Sequence, residues 1–455
     1  MKDLGIVICN FNKVEYLKGC LETLYKSSFE KLSYDVIVVD NASTDESVEF
    51  VKKNYPSIIL LQNETNTGGS GGFDRGIQYV MKQNYTYVAL LDNDILLEND
   101  TILNLIKYIK KNPKVGVVGS KICTMDNPEI LQEMGSFIDF SEKFNIETPL
   151  KSHKDDDFLP EVVSCDYVPA CCLITTNEIL NKVGSFNTKH FIYWDDMDWC
   201  TRVKRAGYEI HAINNSRVFH KMGAANHTNT FGVYYFERNR IMFFLKYIDE
   251  DKLESFINSI CNWLLSVTFF SNLKGNYATP VSLLMAIDDL LLDNLGKQDK
   301  SIIKKENIKS IFEIYELNTE DKIAIYFNEN MKANRIIYNT LSNFTKKIDF
   351  YVSEENYEII KNNFDINIKI IKEDDEKNYD KFFVVINHIL DYEKKDSLHE
   401  NIIFVDEFLN SSSSKEIDNL LASYFMYKDI FMNIYKPVLQ RRFLGIREYL
   451  RKEDI

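Results

Sequence analysis

The sequence predicts an α/β protein, with a parallel sheet covered on both faces followed by a helical stretch and a second, smaller α/β unit. Three observations predict it. Apolar strands alternate with amphipathic helices through the first hundred residues, the pattern of a sheet buried on both sides. The chain turns helical from about residue 234 to 295, and a new alternation of strands and polar helices begins after residue 321. With 455 residues the chain is too long for one ordinary core. The expected divisions are 1–245, 246–315 as a helical extension, and 316–455.

Each element of the first part has its own signal. IVICN is a first strand, residues 13–26 a helix, YDVIVVD a strand, residues 45–54 a helix and SIILLQN a third strand. A glycine loop follows, then a helix over 75–83 and the strand YVALLD. Ligands of such sheets bind beyond the carboxyl ends of the strands. Three strands here end in polar groups, Asn10 and Asn12, then Asp40, Asn41 and Ser43, then Asp92 and Asp94, and all would line one crevice. Residues 256–270 are apolar but interrupted by Asn258 and Asn262, too short for a membrane span, and read as a buried or interfacial helix. In the last part KIAIYF, KIDFYVS, INIKII, KFFVVIN and NIIFVDEF are strands, with the serine run 411–414 as a loop.

Composition narrows the function. A net charge of −14 argues against a general nucleic-acid binder, which needs a basic surface to neutralise phosphates. The eight cysteines include no CxxC pair, as expected of reduced, mostly buried thiols in a cytosolic protein. The start MKDLGIVICN reads as a strand rather than a signal peptide.

Four motifs and one histidine carry chemistry. In YVALLDND (87–94) an apolar strand ends in Asp92 and Asp94, which alternation would place on one face to hold a hard divalent ion and phosphate oxygens. NTGGSGGFDRG (66–76) follows a strand and opens a helix; its glycines, Gly68 and Gly69 among them, would expose backbone N–H groups to an anion, with Arg75 at the helix start for a phosphate. It is no dinucleotide fingerprint, because it follows the third strand and the first strand has no GxGxxG. VVDNASTD puts Asp40 where it can accept hydrogen bonds from a base or ribose, while Ser43 or Thr44 can cap the next helix. FIYWDDMDW (191–199) sets Asp195, Asp196 and Asp198 among aromatic rings, and poorly solvated acids make general bases near neutral pH. His220, in VFHKMG, ends another apolar strand and can complete a carboxylate and imidazole set with the DxD acids.

In order along the chain, ICNFNK, VVDNASTD, NTGGSGGFDRG, LDND, WDDMDW and the histidine of VFHKMG resemble the inverting family 2 glycosyltransferases of the GT-A fold, over about residues 4–245. The glycine motif with FDRG and the WDD acids are similar to bacterial galactofuranosyltransferases, with rhamnosyltransferases close behind, and YYFERNR (234–240) resembles a segment these enzymes carry. The resemblance implies that Asp40 holds the uracil or ribose of a UDP-sugar, with Asn10, Asn12, Asn41 and Asn66 nearby. It implies that Asp92, Asp94 and His220 bind Mn2+ or Mg2+ against the diphosphate and that Asp196 is the catalytic base. Asp195 would position the acceptor or share the base role, Trp194 would stack on a sugar ring, and Asp198 would lie on the substrate side. Two departures stand out: Asn93 in the middle of the DxD, and Cys171 with Cys172 where small residues are usual in the acceptor region.

The implied function is transfer of galactofuranose from UDP-galactofuranose to a hydroxyl of a growing bacterial cell-surface glycan, lipid-linked, at the inner face of the plasma membrane. dTDP-rhamnose or another UDP-hexose is the alternative donor, and a non-catalytic UDP-sugar-binding scaffold is the alternative class. The ending KPVLQRRFLGIREYLRKE is a basic amphipathic helix, which can lie on an anionic membrane, pack on its own protein or join a homo-oligomer.

Overall fold

The computed structural model describes residues 2–221, 229–306, 309–345, 347–364, 366–372, 374–393 and 399–452. Met222 and Gly223 of the VFHKMG motif fall outside them. Two compact units are present, the first built from Met1–Ile260, Val281–Lys305 and Arg441–Ile455, the second from Cys261–Pro280 and Glu306–Gln440. Residues 246–315 are therefore divided between the units.

The first unit is a mixed sheet of β1 (Leu4–Asn10), β2 (Tyr34–Asp40), β3 (Ile59–Gln62), β4 (Tyr87–Asp92), β5 (Ile95–Leu97), β6 (Val115–Thr124), β7 (Leu131–Glu133), then past a small hairpin of β8 (Phe137–Asp139) and β9 (Asn145–Glu147), β10 (Val162–Cys165), β11 (Cys172–Thr176) and β12 (Glu209–His220). Its spatial order is β10-β12-β6-β11-β4-β1-β2-β3. β1 to β4 pair in parallel, whereas β11 enters antiparallel between β4 and β6. The helices are α1 (Val14–Lys26), α2 (Ser47–Asn54), α3 (Gly68–Gln83), α4 (Thr101–Lys111), α5 (Asn177–Val183), α6 (Asp195–Arg205) and α7 (Phe231–Tyr247), followed by α8 (Leu253–Leu273) and α9 (Ala278–Leu291). Among the described residues no helix is long and apolar enough to cross a membrane. The core beneath the crevice joins Ile6, Ile8, Val38, Ala89, Leu91, Val118 and Ile174 from five strands to Leu17, Leu21 and Leu105 from the helices.

The glycine motif is not a loop. α3 begins at Gly68, so Gly71, Gly72 and Gly76 sit inside the helix. A Cβ on Gly72 would lie 2.1 Å from the Cys9 sulfur, and one on Gly76 2.2 Å from Val7 Cγ1. These glycines exist so that α3 can lie directly on β1. Gly76→Ala should therefore lower stability by about 1–3 kcal/mol through overpacking, read as a shift of the urea midpoint; an unchanged midpoint would mean that α3 does not pack this closely.

The second unit is a doubly wound sheet. α10 (Ile311–Ile314) leads into β13 (Ile323–Phe327), α11 (Met331–Phe344), β14 (Ile348–Val352), α12 (Tyr357–Asn363), β15 (Ile368–Ile370), β16 (Lys381–Val385), β17 (Ile402–Val405) and β18 (Ser411–Ser413), then α13 (Ile417–Ile430) and α14 (Lys436–Lys452). The order is β15-β14-β13-β16-β17-β18, parallel except for β18. The serine run is thus an edge strand rather than a loop, its register fixed by Phe404 opposite Ser412. In the last turns of α14, Phe443, Ile446 and Leu450 are buried in the first unit. Arg447 is buried with them, donating to the Glu250 carboxylate and the Ile248 carbonyl. This face of the terminal helix is occupied by its own protein and is closed to a bilayer.

Candidate functional site

Strand register assembles the crevice. Asn10 stands beside Asp40, and Cys9 beside Asp92, at the carboxyl edge of β1, β2 and β4. Asn10 donates to Asp40 and to Ser43 Oγ, both at 3.3 Å, and accepts from Asn93 Nδ2 at 2.6 Å. The middle residue of the DxD therefore ties this turn to β1. Asp40 also accepts from the Ser43 N–H, and Asn12, at φ 50°, accepts from the Thr44 and Asp45 N–H groups. Asn41 is consumed internally: its amide donates to Asn66 Oδ1 and the Gly68 carbonyl, and its carbonyl accepts from Asn63 and Thr67. Asn41 and Asn66 shape the entry to α3 and have little left to offer a ligand.

β4 ends at Asp92, and Asp94 lies in the turn before β5, so strand alternation does not align the two acids. The end of β12 does: His220 pairs with Ile95, placing Nε2 3.2 Å from Asp94 Oδ1, while Nδ1 meets Gln132 Oε1 at 2.9 Å. Lys13 Nζ is 2.7 Å from the other oxygen of Asp94. Burial and then the Asp94 charge raise the Asp92 pKa, to about 6. For Asp94 burial works upward but is outweighed by the His220 hydrogen bond and the charges of His220 and Lys13, leaving its pKa low. Burial lowers the His220 pKa, yet its bond to Asp94 and the two carboxylates carry it above the ordinary value.

A carboxylate oxygen of Asp92, Cys171 Sγ and a His220 ring nitrogen lie within 4.8 Å of one another. Oxygen, sulfur and imidazole donors at that spacing fit a divalent cation.

The acids of WDDMDW take three different roles. Asn239 on α7 donates to the carbonyls of His190, Ile192 and Tyr193 at 2.8–3.0 Å, and the buried Arg238 donates to the His190 carbonyl. These bonds hold a backbone in which Phe191, Tyr193 and Trp194 all have φ of 66–67°, a costly conformation for bulky side chains. The YYFERNR segment thus fixes the turn that starts α6. Asp195, in its first turn, accepts from Ser70 Oγ at 2.7 Å. Asp196 accepts from the Ala170 N–H at 3.3 Å and the Met197 N–H at 2.9 Å. Burial, then Asp195, then Glu133 push the Asp196 pKa well up.

Several expected placements are corrected. Trp194 is fully buried against Phe236, Phe243 and Phe244 at centroid distances of 5.1–5.7 Å, so it cannot stack on a sugar. Asp198, 2% exposed, is spent on Arg202, Lys246 and Tyr247. Burial raises its pKa, but Arg202, Lys246 and the Tyr247 hydroxyl bring it well below the ordinary value, which marks a structural ion pair rather than a substrate ligand. Arg75 lies two turns into α3, exposed, with its guanidinium on Asn63, because the glycines before it are helical. Two of the first N–H groups of α3 are also taken: Gly68 donates to Asn66 Oδ1, and Ser70 to the Phe191 carbonyl. A Cβ on Gly68 would fall 1.9 Å from that carbonyl oxygen. The glycine motif docks the turn that carries the acids.

Lys13, Ser70, Gln132 and Glu133 were not expected here, and Cys171, singled out for the acceptor region, stands instead beside Asp92 and His220. Glu133, at the end of β7, is buried beside Ser136, and burial raises its pKa to about 7. Lys13 has a sequence signal, a cation three residues past a strand that ends in Asn10, and Ser70 lies within the glycine motif.

The sequence profile of glycosyl transferase family 2 matches residues 5–174. One curated relative is the low-salt glycan biosynthesis hexosyltransferase Agl10 of Haloferax volcanii, 21% identical over 291 residues, 62% of this chain and 89% of that protein. The galactofuranosyltransferase GlfT2 of Mycobacterium tuberculosis is 23% identical over 251 residues, 52% of this chain and 39% of its own length. The rhamnosyltransferase WbbL of Escherichia coli is 24% identical over 240 residues, 49% of this chain and 84% of that protein. Other curated relatives are spanned over only 17% to 28% of their length.

Proposed function

We propose that this chain is a family 2 glycosyltransferase of the GT-A fold, which moves a hexose with inversion from a nucleotide diphosphate donor to a glycan hydroxyl. Galactofuranose from UDP-galactofuranose is the preferred reading, supported by FDRG, the WDD acids and the mycobacterial relative. Rhamnose from dTDP-rhamnose is the second, supported by the relative from E. coli. The observation that carries the proposal is geometric: an Asp92 carboxylate oxygen, Cys171 Sγ and a His220 ring nitrogen lie within 4.8 Å of one another, at the same sheet edge where β1 and β2 end in Asn10 and Asp40.

Asp40, with Asn10 and Asn12 around it, would meet the nucleoside end of the donor. Asp92, Asp94 and His220 would hold Mn2+ or Mg2+, which when bound places positive charge against the leaving diphosphate. Lys13, already on Asp94, supplies a second cation at that end, a role Arg75 is too far along α3 to fill. Asp196 takes the proton of the acceptor hydroxyl as its oxygen attacks the anomeric carbon from the side away from the diphosphate. Its raised pKa makes it a stronger base than an exposed aspartate. Asp195, anchored to Ser70, fixes the turn and raises the affinity of its neighbour for the proton. The acceptor we infer is a lipid-linked cell-surface glycan.

A panel of UDP-galactofuranose, dTDP-rhamnose and other UDP-hexoses, followed by release of the nucleotide diphosphate with Mn2+ present, tests the assignment. UDP-galactofuranose should be consumed fastest. If none is consumed above the rate without protein, the site is a binding site only.

The pH dependence has a definite sign. Asp196 works only when ionised, so kcat/KM should rise with pH through its raised pKa and level off above it. The carboxylates Asp195 and Glu133 face it, and both charges hold that pKa up. Asp195→Asn removes the larger, so the acid limb should move to lower pH. A limb that stays in place would remove Asp196 from the role of base.

A further inference from the structure

We propose that Cys171 is a direct ligand of the cation held by Asp92 and His220, making this a carboxylate, thiolate and imidazole site that prefers Zn2+, Co2+ or Cd2+ to Mg2+. The proposal rests on the reading of this crevice as a metal-dependent transferase centre.

Register explains why the thiol is there. Cys172 stands opposite Leu91 in the antiparallel β4 and β11 pair, and the Asp92 N–H donates to the Cys171 carbonyl at 3.0 Å. Cys171 therefore faces Asp92, and side chains directly opposite in such a pair share a face, with Cβ atoms about 4.5–5.5 Å apart. His220 arrives from β12, and the three donor atoms close to within 4.8 Å of one another.

Cys171 is 4% exposed, and its thiol has no hydrogen-bond partner among the described residues. Its neighbours differ. Cys172 accepts from Ser120 Oγ at 3.1 Å, and Cys20 donates to the Asp92 carbonyl at 3.6 Å. A buried thiol without a partner, beside a carboxylate and an imidazole, is a donor waiting for a cation. Asp94 adjoins them with one oxygen on Lys13 and the other by His220 Nε2, which adds negative charge at the site. Thiolate softens the donor set and favours borderline metals over Mg2+, and binding releases the thiol proton to solvent.

Adding Co2+ to the full-length protein tests this. The wild type should develop a near-ultraviolet sulfur-to-cobalt charge-transfer band, Cys171→Ser should lack it, and Cys172→Ser should keep it. Loss of even an outer-shell partner typically costs on the order of 10- to 100-fold in metal affinity, so loss of a direct thiolate ligand in Cys171→Ser should weaken Cd2+ binding by at least about tenfold while Mg2+ binding changes little. Absence of the band in the wild type overturns the proposal without any variant, as does its persistence in Cys171→Ser. Unchanged thermal unfolding of Cys171→Ser and Cys171→Ala without metal excludes loss of fold as the cause. The reading of function fails separately: a wild type that shows the band yet consumes no nucleotide sugar is a metal protein and not a transferase.

Discussion

Replacing Asp196 by alanine is expected to lower sugar transfer on the order of 10²- to 10⁴-fold, the usual contribution of a positioned general base, while UDP still binds with Mn2+ present. The separation follows from geometry. Asp196 is held at the start of α6 by the Ala170 and Met197 N–H groups, and neither bond belongs to the DxD turn or to the Asp40 end of the crevice. Burial and the charges of Asp195 and Glu133 favour its protonated form, while its place in the first turn of a helix favours the carboxylate. A group balanced in this way can accept a proton and give it up again each cycle. Calorimetric titration with UDP beside a turnover assay checks both halves: unchanged turnover takes Asp196 out of the mechanism, and lost UDP binding makes it part of the donor site.

Trp194→Ala is expected to cost stability, about 3–5 kcal/mol, as for other large aromatic side chains removed from a core. The ring is enclosed by Phe236, Phe243 and Phe244, and the residue anchors the turn that presents Asp195 and Asp196. Its indole N–H finds no partner among the described residues. Trp194→Phe removes that unsatisfied donor and should fold nearly as well as the wild type. Denaturant midpoints and donor KM distinguish this from a sugar-stacking role, which would raise KM for both variants and leave the midpoint of Trp194→Ala in place.

The sequence made legible what is written locally. Apolar strands that stop at Asn10, Asp40 and Asp92 predict a crevice at their carboxyl ends, and parallel register places them side by side. What depends on distant packing was not legible. Glycines at 71 and 72 read as a loop because glycine breaks helices, yet the close approach of Gly72 to Cys9 comes from inside one. Trp194 and Asp198 look available for substrate in a motif rich in acids and rings, but α7 covers both. Cys171 meets Asp92 only through an antiparallel strand inserted some eighty residues later, and Glu133 reaches the same crevice from β7. Arg75 was misplaced by the start of a single helix.

The proposed role of Asp196 as the base is tested most directly by the configuration of the first product. With UDP-galactofuranose, Mn2+ and water or a glycan as acceptor, proton NMR recorded before the sugar mutarotates should show the anomeric centre inverted in the wild type, with the signal lost in Asp196→Ala. A product of retained configuration, or an equal signal from Asp196→Ala, would contradict attack assisted by Asp196 from the face opposite the leaving group.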